Sequence, residues 1–433
     1  MQRPLGETER AVWLLDRAGS LNGAFCAKVT GPLEPDLLRR ALDRVQAAHP
    51  LLRVRVEAKD PPAFTSADVP PIPLRVVDRR GEAHFLSELE DEINRPFAWH
   101  EGPLVRAALL RGEGCSELLV AYHHMIADGA SGPYLIRDLL RTAADLLEGK
   151  PSPGPAPAPE RPALEALLPP SARGVSALRG VAVSAARNLL TAARRPAKLP
   201  VDRSAPPGLR RSRLIHHQLG ADESDALARR CRERGVTIHG ALAAAVLQGA
   251  ADSLRAAGKD PGALVCSSPV NLRPYLQPRI GDEIGCFISA VLTPLPVRAG
   301  EDPWALAHRA KAAVSAAIER GEHLAAVHMQ SLLRAATASP HRFSWAAEEL
   351  FPAAVAVANI GRLDIPDTYG PFRLEAVEGG VAVNVISGTS LCLCARSFAG
   401  RLSLTFVGAE PLLSRARAEE LSARAVARVR AML

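Results

Sequence analysis

Aromatic residues are scarce: Phe, Trp and Tyr together make up 4% of the 433 residues. Proteins that grip single-stranded nucleic acid stack bases on such rings, so the scarcity argues against a nucleic-acid partner. Cysteine pairing is missing as well. The seven cysteines are an odd number with no CxxC spacing, which sets aside a disulfide framework and suits reduced, buried thiols. No apolar run reaches bilayer-spanning length, and the opening "MQRPLGETER" has no apolar leader core. A cytoplasmic monomer is the expectation. Signature patterns are absent too: no GxSxG elbow, no GxxxxGK[ST] loop, no GxGxxG turn and no HExxH pair. Serine hydrolase, P-loop, dinucleotide and zinc-protease chemistries fall with them. His323 and His328 lie five apart, off a common helical face, and no metal is expected.

What is present is an ordinary globular composition, 47% apolar and 23% charged, in a chain long enough for two domains. The net charge of +7 is unevenly placed. Between Lys150 and Arg213, twelve Lys/Arg face three Asp/Glu, so this segment carries +9 and the remainder −2. It opens with "KPSPGPAPAPERP", an extended linker by composition. The following "SALRGVAVSAARNLLTAARRP" predicts a basic, moderately amphipathic helix. A bridging helix with a solvated face is the plainer reading; contact with a membrane surface or a lipid-bearing partner is the sharper one. The basic stretch from Arg173 to Arg213 suits either ordinary solvated charge or the docking of an acidic carrier protein or the phosphates of coenzyme A.

Periodicity places helices and strands in both halves. "EPDLLRRALDRVQAAHP" puts Leu37, Leu38, Ala41, Leu42 and Val45 at helical spacing with Pro35 in the first turn. "PLVRAALLRGEGCSELLVAYHH" predicts two strands joined by a turn, and "PYLIRDLLRTAADLLEG" an amphipathic helix. Later, "SRLIHHQL", "ALVCSSPVNLRP", "CFISAVLTPLPV", "AAVAVANIG", "VAVNVISGTSLCLCARSF" and "RLSLTFVG" predict strands, and "TIHGALAAAVLQGAADSLRAAG" an Ala-rich helix. The mixture lacks the strict alternation of a doubly wound sheet.

The stretch "LLVAYHHMIADGASG" carries the chemistry. In a strand ending here, Leu119, Ala121 and His123 face one way while Val120, Tyr122 and His124 face the other. The two histidines therefore cannot share a metal. A neutral imidazole at His124 suits a general base, and Gly129 permits a tight turn or a close approach. On the motif alone, a satisfied core histidine is as good a reading.

"HHMIADG" fits the HHxxxDG signature, and the chain resembles the chloramphenicol-acetyltransferase-like superfamily, which includes peptide-synthetase condensation domains. "LLRRALDRVQAAHPLLRVRV", "SSPVNLRPYL…IGCFIS" and "VANIGRLDIPDTYG" resemble further family segments, in the expected order along most of the chain. No DFGWG segment of the plant type occurs, so the resemblance is to the stand-alone bacterial, polyketide-associated alcohol acyltransferases. It implies an α/β fold of two similar lobes with mixed sheets and an interlobe tunnel. The lobes would be 1–149 and 213–433, with 150–212 crossing between them. It also implies His124 as base, with Asp128, Gly129, His123 and Arg273 shaping the site and Arg273 the candidate partner of Asp128. Asn359, Ser387, Thr389 and Ser390 are candidate tunnel or oxyanion contacts. The implied reaction moves an acyl group from acyl-CoA or a phosphopantetheine-linked acyl-carrier thioester to a hydroxyl acceptor, with no permanently bound cofactor. An amide-forming enzyme with an amine acceptor, or an inactive carrier-recruiting relative, are the alternatives.

Overall fold

The computed structural model describes residues 1–151, 154–335, 339–350, 353–385 and 390–433. Two six-stranded mixed sheets organise them. The first runs in the order β12 (Thr368–Tyr369), β13 (Phe372–Val381), β2 (Asn22–Thr30), β7 (Cys115–His123), β6 (Val105–Arg111), β5 (Leu74–Asp78). The second runs β10 (Ile288–Pro296), β9 (Ala263–Asn271), β11 (Val355–Arg362), β14 (Leu391–Phe398), β15 (Arg401–Glu410), β8 (Arg211–Leu219). A small antiparallel sheet joins β1 (Gln2–Pro4), β4 (Ala63–Thr65) and β3 (Arg55–Glu57).

Helices cover the sheets with their apolar faces. In the first lobe these are α1 (Glu7–Asp16), α2 (Pro35–Ala48), α3 (His84–Asn94) and α4 (Ser131–Leu147). Pro35 presets the first turn of α2, and Leu38, Ala41, Leu42 and Val45 bury the predicted stripe in one core with Leu135, Ile136 and Leu139 of α4. Truncating the fully buried Leu38 to Ala removes about 2–5 kcal/mol by cavity formation. After the short α5 (Leu164–Leu167) and the long α6 (Gly174–Ala193), the second lobe adds α7 (Ala221–Glu233), α8 (Ile238–Ala256), α9 (Pro303–Glu319), α10 (Glu322–Ala335), α11 (Pro340–Leu350) and α12 (Arg415–Arg430). Thr237 caps α8, its hydroxyl accepting from the Gly240 N–H at 3.0 Å. The run Ala243–Ala244–Ala245 is fully buried between α9 and α12.

Two sequence expectations change. A boundary at 213 assigns everything beyond it to the second lobe, yet β12 and β13 hydrogen-bond into the first sheet, with Arg373–Val381 lying antiparallel to Gly23–Thr30. "VAVNVISGTSLCLCARSF", read as one strand, is divided: β13 ends at Val381, Asn384 and Val385 form a turn, and β14 begins at Leu391. Local pattern misleads here for a physical reason. A register shift between Leu374 and Ala376 breaks the alternation, and "GG" reads as a turn. In β13 the glycines serve close packing instead: a Cβ on Gly379 would lie 2.7 Å from the Phe25 ring.

Candidate active site

β7 ends where its two histidines separate. His123 is wholly buried; its Nδ1 accepts from the Met125 N–H at 3.1 Å, and its Nε2 lies 3.3 Å from Asp16 Oδ2. Burial alone would raise the Asp16 carboxyl, but His123 and the Leu21 N–H hold it below the usual carboxylate range. His123 is thus spent on joining β7 to α1. His124, one residue on, turns the other way. Its backbone N–H donates to the Leu21 carbonyl at 3.2 Å, and its half-buried ring faces a cavity of about 350 Å³.

That cavity lies between the lobes. Tyr122, His124 and Gly129 line it from the first, and Ser267, Ser289 and Asn359 from the second. Among the described residues His124 is the histidine on this wall. Burial in largely apolar surroundings pushes its imidazole below the ordinary value of 6.5, so the ring stays neutral into mildly acidic solution.

Asp128 lines the same cavity and also ties the lobes. Its carboxylate takes two bonds from Arg273, Nη1 at 2.7 Å and Nη2 at 3.1 Å. It also accepts from the backbone N–H groups of Phe287 (3.0 Å), Ala130 (3.1 Å) and Ser131 (3.0 Å). The Ser131 hydroxyl, 2.9 Å from Asp128 Oδ1, accepts from Arg273 Nη2 at 3.1 Å. Burial would raise this carboxyl, but the Arg273 guanidinium and the donors around it outweigh burial and keep it ionised well into acid. The bidentate geometry fixes the turn after His124 against the segment that follows β9 in the second lobe. Gly129 lines the cavity without a left-handed backbone. Its service is room: a Cβ there would stand 3.0 Å from Ile360 Cγ2.

The remaining candidates divide. Asn359 lines the cavity while its Oδ1 accepts from the Gly361 N–H at 2.9 Å, so the wall and turn roles coexist. Ser390 is buried, its carbonyl accepting from the Ala409 N–H at 3.1 Å, and it is not on the cavity wall. Ser387 and Thr389 lie outside the described residues.

Sequence reasoning missed several wall residues. Cys286 Sγ stands 4.0 Å from His124 Nδ1, and burial pushes its thiol well up. Arg396 is fully buried on the wall, held by Glu378 at 2.8 Å, Thr405 at 2.7 Å and the Val377 carbonyl at 2.9 Å. No local signal marks a pair eighteen residues apart on different sheets. Ser289 Oγ and Gln330 Oε1 are buried on the wall without a hydrogen-bond partner. Among the described residues no group of three or more His, Cys, Asp or Glu side chains is placed to hold a metal.

Family models match both halves. Residues 13–159 match the model described as Condensation domain, and residues 209–407 the one described as Phthiocerol/phthiodiolone dimycocerosyl transferase C-terminus. Over most of its length, in two successive segments, the chain is thus similar to condensation-type acyltransferases. A curated relative, chondramide synthase cmdD of Chondromyces crocatus, is 31% identical over 162 residues, 35% of this chain and 4% of that protein. The chain therefore spans only a few per cent of the curated relatives it matches. Polyketide synthase associated protein 5 from Mycobacterium tuberculosis superposes with a TM-score of 0.70 at 19% identity, over 99% of this chain and 98% of that one. TRI3 trichothecene 15-O-acetyltransferase from Fusarium sporotrichioides gives 0.74 at 15% identity, over 100% and 95%. At these identities the superpositions establish the fold: two lobes with mixed sheets, as condensation-type enzymes have.

Proposed function

We propose that this condensation-type chain is an acyltransferase that moves an acyl group from a coenzyme A or carrier-protein thioester to a hydroxyl, with His124 as general base. The observation that carries the reading is the neutral, accessible His124 ring inside a mostly apolar cavity walled by both lobes. Cys286 occupies the Nδ1 side of that ring, which leaves Nε2 for substrate. In this scheme the imidazole takes the proton of the acceptor hydroxyl as its oxygen attacks the thioester carbonyl. The tetrahedral intermediate collapses, the C–S bond breaks, and the imidazolium returns the proton to the leaving thiolate. No enzyme nucleophile is needed, because the cavity supplies proximity and excludes water. Asp128 and Arg273 act as positioning residues, fixing the turn that carries His124. Ser289 and Gln330 are the wall groups we assign to a polar part of the bound substrates.

Amide formation with an amine acceptor is the second reading, favoured by the Condensation domain match over residues 13–159. Mass spectrometry of products from a panel of acyl thioesters with alcohols and amines decides between them. Ester products support the proposal and amide products the alternative. Absence of any product with His124 intact would leave the carrier-recruiting role.

A further inference from the structure

The solvent side of α6 is apolar. Val175, Leu178, Leu189 and Leu190 leave 83%, 66%, 57% and 63% of their surface open, and Ala182, Ala186 and Ala193 are exposed on the same side. At helical spacing, 175, 178, 182, 186, 189 and 193 form one stripe, and the 20 residues of α6 make it about 30 Å long. Single exposed leucines are ordinary, whereas a continuous stripe marks an interaction surface. The helix is held in place from behind. Val181 and Ser184 are buried, Arg187 pairs with Glu322 of α10 at 3.0 Å, and Asn188 lies 3.9 Å from Met329 Sδ.

Charge names the partner. From Gly174 to Ala193 there is no Asp or Glu. Arg173, Arg179, Arg194 and Arg195 are exposed, and among the described residues none has a carboxylate partner. We propose that α6 docks on an anionic lipid surface, its apolar stripe in the headgroup boundary and its arginines on lipid phosphates. Arginine stems reach past such a stripe while their heads stay at the phosphates. An acidic carrier protein would satisfy the arginines yet leave most of the stripe wet; a bilayer covers its whole length. No described helix is long and apolar enough to cross a membrane, so the contact is peripheral. α10 stands between this surface and the cavity, which its Gln330 lines. A lipid-held substrate would therefore arrive one helix away from the site. The surface itself does not depend on the reaction proposed above.

The test is co-sedimentation of the whole chain with phosphatidylcholine vesicles, with and without phosphatidylglycerol. The chain should bind the phosphatidylglycerol vesicles and release on raising salt. Leu178→Glu combined with Leu189→Glu should weaken binding by about tenfold or more, with far-ultraviolet circular dichroism unchanged. Arg179→Glu should weaken it less. His124→Ala should bind as the parent does, which separates this surface from the catalytic reading. Three results would overturn the proposal: no vesicle binding, equal binding by parent and double variant, or sedimentation showing that the stripe is instead covered by a second copy. Capture of an acyl-carrier protein in place of vesicles counts against it equally.

Discussion

At the scale of single residues, His124 and His123 show how one strand step separates chemistry from scaffolding. His124→Ala should lower turnover by about 10²–10⁴-fold, the span of general-base catalysis, with the melting temperature kept because the ring lines the cavity and is not part of an apolar core; a thioester-consumption assay beside a thermal melt reads both. The imidazole is held below its ordinary value, so the acid limb of kcat/KM should fall below pH 6.5, the ordinary value. An acid limb above that value would count against His124 as the titrating base. The histidine pair was readable because strand alternation is a local rule. Arg396 was not: a buried arginine on a cavity wall is unusual, and its partner Glu378 meets it only once two sheets have packed.

At the scale of elements, the turn from Asp128 to Ser131 and the segment from Arg273 to Phe287 form a latch. Arg273→Ala leaves a buried carboxylate without its cation and should cost about 3–5 kcal/mol, read as a lowered urea midpoint. The Asp128 carboxyl is depressed in the folded protein. Its contribution is therefore full above the unfolded value near 3.9 and is lost as pH falls through the folded value. The gap in urea midpoint between the parent and Asp128→Asn should accordingly narrow below about pH 4; a gap independent of pH would refute the ion-pair account. The pairing of "HHMIADG" with "NLRP" was expected from the order of family-like segments, whereas its geometry, with three backbone donors on one carboxylate, had no sequence signal. β13 has only a weak sequence signal, because a register shift and a glycine pair blur the period on which strand reading depends.

At the scale of the whole molecule, the lobes are not separable by cutting the chain. A fragment ending at residue 212 lacks β12 and β13, leaving β2 as a bare edge with its core face open. It should show no cooperative thermal transition by circular dichroism, and it should aggregate, whereas a fragment with independent two-state melting would contradict the topology. The same crossing has a consequence for synthesis. While the ribosome is still translating the second half, the first sheet remains unfinished, since the strand that closes it ends at Val381. The nascent N-terminal portion must wait, unsealed, for some 250 further residues after β7, and it is there that a chaperone would find its longest opportunity to bind.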